Sequence, residues 1–175
     1  MEEGTWTWIL ELFGRIHPLT VHFPIGLLIV GLFLELLTIK GKQTGLRDGI
    51  VWLVNLGAFF AVLAAAQGWF LQSYGDYSGD LVRYHQNMGI ATASLSVITA
   101  LLLRSTLKGK FSNFLVYRVG LTITVISLTI AGHLGASLTH GEDFLTSVLP
   151  GNRSDYDEGK AVALLVELDD VAALS

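Results

Sequence analysis

The residues of this chain best suited to chemistry are its five histidines, His17, His22, His85, His133 and His140. A neutral imidazole ligates metals and haem iron and can carry a proton near neutral pH. Spacing separates the five into sets. His133 and His140 are seven residues apart, which on a helix puts both on nearly one face, about 10 Å apart along the axis. His17 and His22, five apart, share a face less well. Cysteine is absent, which excludes thioether attachment of haem, iron–sulfur ligation and disulfides within this chain. Any haem held here would be non-covalent, hence b-type.

Hydrophobic segments must position these side chains. Of 175 residues, 51% are hydrophobic and only 15% charged, a balance expected of a membrane protein rather than a soluble domain. Four apolar runs stand out, roughly Pro18 to Thr38, Ile50 to Gln72, Tyr84 to Leu103 and Arg118 to Thr139. Each approaches the ~20 residues that cross a hydrocarbon core as a helix, and none alternates as a barrel strand would. The expected fold is an all-α integral membrane bundle of four transmembrane helices over residues 1–150, followed by a linker and tail over 151–175.

Charge sets the expected orientation. The links after the first and third runs hold Lys40, Lys42, Arg47, Arg104, Lys108, Lys110 and Arg118, whereas Asp76 and Asp80 follow the second run and both termini are acidic. The positive-inside rule then puts the basic links in the cytoplasm and both termini on the outer, periplasmic side of a bacterial inner membrane. Met1-Glu2-Glu3 lacks the basic start of a cleavable signal, so the first run is expected to be retained.

In that arrangement all five histidines lie at or near one face. His22 is expected level with His133, and His17 level with His140. Imidazole is costly in lipid, so a one-sided cluster from three helices reads as a site. Gly26, Gly89, Gly132 and Gly135 lie near the histidines and would admit the edge of a macrocycle. Arg15 and Arg83 sit at the same boundary, where they could pair with haem propionates.

Plainer roles compete. His17 precedes a proline that would open the helix and can be an interfacial polar residue. His140 precedes Gly141 and can cap a helix C-terminus. Arg15 and Arg83 can be headgroup anchors. Glu35 reads as a snorkelling boundary residue close to Lys40. Gly57, Ala61 and Ala65, with Ala64 and Gly68, form small-residue stripes suited to close helix packing. Trp6, Trp8, Trp69, Tyr74, Tyr77 and Tyr84 suit an aromatic belt, or the entrance of a quinone site. No phosphate loop, catalytic triad spacing or basic nucleic-acid patch is present.

Three strings carry a family likeness: His17-Pro18-Leu19-Thr20-Val21-His22-Phe23-Pro24-Ile25-Gly26, then His85-Gln86-Asn87-Met88-Gly89, then Gly132-His133-Leu134-Gly135 continuing through His140-Gly141-Glu142-Asp143-Phe144-Leu145. Over about Gly14 to Pro150 the chain resembles a family of bacterial four-helix membrane domains that occur alone or fused to planctomycete-type cytochrome c or Rieske domains. The resemblance implies membership of a membrane redox system, with the family's histidine positions falling on His17, His22, His85, His133 and His140. This chain departs from the fused members after Pro150. A polar linker to Gly159 leads into an amphipathic stretch, Lys160 to Leu174, whose Glu167, Asp169 and Asp170 suit a basic partner surface.

The reading that follows is a membrane electron-transfer protein. One or two b-type haems would pass electrons between a quinol pool or membrane complex and an outer-side cytochrome c. His22, His85 and His133 are the first choice of ligands, His140 completes a second pair, and His17 stands in reserve. The alternatives are a copper or zinc site on His22, His85, His133 and His140, or a non-catalytic subunit scaffolding a respiratory or photosynthetic complex. Membrane lipid and other redox-complex subunits are the expected partners, with no nucleic acid.

Overall fold

In a computed structural model the described residues are 4–39, 44–75, 77–110, 114–149 and 165. Their order is α1 (Gly4–Arg15), α2 (His17–Thr20), α3 (His22–Thr38), a 3-10 turn Thr44–Leu46, α4 (Arg47–Tyr74), α5 (Asp80–Leu107) and α6 (Leu115–His140). Four spans are long and apolar enough to cross a membrane: Trp6–Thr38, Arg47–Tyr74, Asp80–Leu107 and Leu115–His140. Every span outruns its apolar run, because helices continue into the polar boundary, where charged residues such as Asp80 and Arg104 are exposed.

The first span differs most from expectation. Pro18 does not open it; helix begins at Gly4 and is interrupted only at Ile16 and Val21. Pro18 and Pro24 lack the N–H that would continue the i→i−4 ladder. The residues before α2 and α3, Ile16 and Val21, nonetheless keep helical dihedrals. Thr20 N donates to Ile16 O at 3.1 Å and Val21 N to His17 O at 3.1 Å, so the ladder survives on either side of each proline. His17 therefore lies inside a continuous helical rod rather than ahead of it.

Two compact units divide between Leu134 and Gly135. In the first, the interior is small and polar while the perimeter is large and apolar. Thr92, Ser96, Thr99, Thr124 and Ser127 are buried beside Leu28, Val54, Leu103 and Leu121, whereas Trp52, Phe59 and Ile126 stand 68%, 60% and 55% exposed. Water would punish that distribution. Lipid, as apolar as the side chains, leaves close packing and interhelical hydrogen bonds as the cohesive terms. Thr92 and Ser127 pair at 2.7 Å, and Thr99 and Thr124 at 2.9 Å, tying α5 to α6. Glycine allows the closest approaches: a Cβ at Gly14 would lie 2.6 Å from the Leu71 backbone nitrogen, and one at Gly57 2.7 Å from the Leu28 side chain.

The second unit begins within the last turns of α6. That helix stops at His140 because Gly141 takes φ +90° and its N–H returns to Ser137 O at 3.0 Å, as a C-terminal cap requires. Helical turns follow to Leu149. Except for Leu165, the linker and amphipathic stretch after Pro150 lie outside the described residues.

Candidate functional site

At the end of the first unit where α4 finishes and α5 starts, two of the five imidazoles come together. His17 of α2 and His85 of α5 stand with ring centroids 6.1 Å apart and planes at 76°. Each is fixed by a neighbouring helix. His17 Nδ1 lies 2.8 Å from the Ala64 carbonyl of α4, and His85 Nδ1 lies 3.0 Å from the Ala131 carbonyl of α6. A carbonyl oxygen can only accept, so each Nδ1 is the protonated nitrogen and donates. In the neutral ring Nε2 is then left with its lone pair, the tautomer a ligating histidine needs.

The seat of His17 is built by α4. Ala64, Gln67 and Gly68 follow one another at helical spacing on one face. A Cβ at Gly68 would stand 3.1 Å from His17 Cε1 and 3.3 Å from Nδ1, so the ring rests directly on bare backbone. The stripe of Ala64 and Gly68, which reads as plain packing, thus accommodates one of the histidines. Gln67 beside it is 4% exposed, and its Oε1 is buried without a hydrogen-bond partner. This acceptor is a site feature that histidine spacing does not reveal; its only sequence signal is an amide inside an apolar run.

The remaining candidates have other surroundings. His22, the first residue of α3, and His133 are both exposed at the perimeter. His140, in the second unit, is exposed and stacks on Phe144 with centroids 4.6 Å apart. Arg15 pairs with Glu11 and Arg83 with Asp80, each within its own helix and well exposed. Among the described residues no group of three or more histidine or carboxylate side chains gathers as a metal site would require. Gly26, Gly89 and Gly132 leave room: a Cβ on any of them would meet nothing within 4 Å. One helical turn beyond Gly68, Leu71 joins Pro18, Tyr74, Tyr77 and the Arg15–Glu11 pair around a groove of about 590 Å³.

The role expected of Glu35 is corrected. It is fully buried rather than snorkelling toward Lys40, and it pairs with Arg47 of α4 and Arg118 of α6. Antiparallel neighbours bring those arginines to its level, so the carboxylate needs no path to water.

Residues 15–145 match the family described as predicted membrane protein (DUF2231). The chain belongs to that family. The matched stretch contains all five histidines and the Glu35 cluster. No curated protein and no solved structure matches the chain. Family and fold together make it a multi-pass membrane protein whose apolar perimeter contacts lipid.

Proposed function

We propose that this chain is a membrane electron-transfer protein of the bacterial inner membrane, with both termini on the periplasmic side and a non-covalent haem held by His17 and His85. The observation that carries the reading is the matched pair of imidazoles. Both come from different helices, both have Nδ1 committed to a backbone carbonyl, and both keep Nε2 for a ligand. The two rings stand close enough, 6.1 Å between centroids, for one group to reach both. His17 and His85 would be the residues that hold a haem, for which two imidazoles suffice, whereas a structural zinc site calls for four ligands. When bound, such a haem supplies one-electron chemistry between a quinol pool or membrane complex and an outer-side cytochrome c. The chain's own contribution is to fix the two rings, through Gly68 beneath one and the two carbonyls behind them. The groove beside Tyr74 and Tyr77 is where a quinone headgroup would approach.

Protein purified from haem-replete cells is expected to show a b-type spectrum that sharpens on reduction. His17→Ala and His85→Ala should each abolish or alter it, and His22→Ala and His133→Ala should leave it in place. A protein that stays colourless after reconstitution overturns the reading. A second reading is favoured by the same two hydrogen bonds: the histidines staple helices in a scaffold subunit of a redox complex. In that case the His17 and His85 variants lose stability with no spectrum to lose. Copper or zinc at the pair is separated from both by metal analysis.

A further inference from the structure

At the opposite end of the first unit three helices converge on one carboxylate. Glu35 of α3 accepts from both guanidinium NH groups of Arg47, the second at 3.3 Å, and from Arg118 Nε at 2.8 Å. Thr38 Oγ1 donates its one proton to the Glu35 backbone carbonyl at 2.7 Å and accepts from Arg47 at 3.2 Å, so it braces the arginine. The ring of Phe114 lies under both guanidiniums, 4.3 Å from Arg47 Cζ and 5.6 Å from Arg118 Cζ. Both carboxylate oxygens are engaged, yet the cluster is not neutral, because two guanidiniums meet one acid.

The excess charge has uncommitted donors. Among the described residues, neither terminal NH group of Arg118 nor the Nε of Arg47 has an acceptor. Their side chains are 28% and 20% exposed, so the pair is within reach from outside. The helix order brings Arg104, Lys108 and Lys110 to the same end, against Asp48 as the other described acid. Beside this charge the surface is apolar: Leu36, Ile39 and Leu115 are all more than half exposed.

We propose that the Glu35–Arg47–Arg118 cluster is a headgroup site for an acidic phospholipid. A phosphate diester would accept the uncommitted N–H groups, matching the planar fork of arginine, while the acyl chains lie along the exposed apolar residues. Glu35 is the positioning residue, since without it two like-charged guanidiniums would repel each other. The apolar margin is what distinguishes a lipid from free phosphate as the source of the anion.

The full chain in a neutral detergent can be titrated with phosphatidylglycerol or phosphatidylcholine and its bound lipid read by native mass spectrometry. Phosphatidylglycerol should bind about fivefold tighter or more, given roughly one excess interfacial charge. Arg118→Gln, which keeps the Glu35–Arg47 pair, should bring that preference close to unity, and Arg118→Lys should restore part of it. The exposed double variant Lys108→Gln/Lys110→Gln should keep most of it. Equal affinity of the wild-type chain for the two lipids overturns the proposal without recourse to any variant. So does a preference that survives Arg118→Gln but vanishes in the Lys108/Lys110 variant, which would mark a diffuse basic surface. Full displacement of the lipid by millimolar inorganic phosphate would assign the site to free phosphate and overturn the lipid claim.

Discussion

The contact between His17 and Gly68 is the tightest constraint on the histidine pair. With Cβ 3.1 Å from Cε1, Gly68→Ala must displace the ring by a few tenths of an ångström, which strains its bond to the Ala64 carbonyl. The Ala64 carbonyl keeps its own helix's donor, but a buried imidazole N–H left without an acceptor costs about 1–3 kcal/mol. Thermal unfolding in detergent should therefore show Gly68→Ala and His17→Ala each destabilising, and the double variant little worse than His17→Ala alone. Strict additivity would mean that the two residues do not touch. Gln67→Leu tests the neighbouring acceptor. It should stabilise the empty protein by removing a buried unpaired oxygen, and any loss of ligand retention it causes should show in the same sample. The sequence made the chemistry of imidazole visible but not which rings meet. Pro18 reads as a helix start, and only the helical rod that continues through it moves His17 from the boundary to the side of His85.

Helix packing in this chain depends on a few places where backbones or hydroxyls meet. Gly14→Ala would press a methyl against the Leu71 backbone, which cannot give way as a side chain can. It should cost about 1–3 kcal/mol, with Gly26→Ala, facing open space, as the neutral control. Both are read as shifts in unfolding midpoint, and equal shifts would contradict the close α1–α4 approach. The hydroxyl pair between α5 and α6 has a direction. Thr124 already donates its single proton to Gly120 O, so Thr99 must donate to Thr124. Thr124→Val should thus cost more than Thr99→Val, within the ~0.6 kcal/mol typical of such bonds in membranes. That the elements were helices was plain from composition, because lipid allows little else. Their ends were not, since apolar counting stops where charged residues start and the backbone does not.

For the whole molecule, the basic links and the acidic loop argue for one topology. Reporter fusions after Gly45 and Lys110 should read as cytoplasmic, and those after Gly79 and Gly159 as periplasmic. The reverse pattern would put the histidine pair on the cytoplasmic side and remove an outer-side electron acceptor. Four crossings could be counted from the sequence because each run carries its own hydrophobicity. The Glu35 cluster could not, because the nearest basic residue in the chain is Lys40 while one true partner, Arg118, is 83 positions away. That separation also bears on biosynthesis. Glu35 leaves the ribosome before either arginine, so the first span by itself would expose a bare carboxylate to lipid, at a cost of a few kcal/mol. Arg47, only 12 residues behind, can accompany it if the first two spans leave the translocon as a hairpin. Arg118 arrives two crossings later and closes the pair into a triad, which makes the last helix the latch on an insertion intermediate already held together by its first.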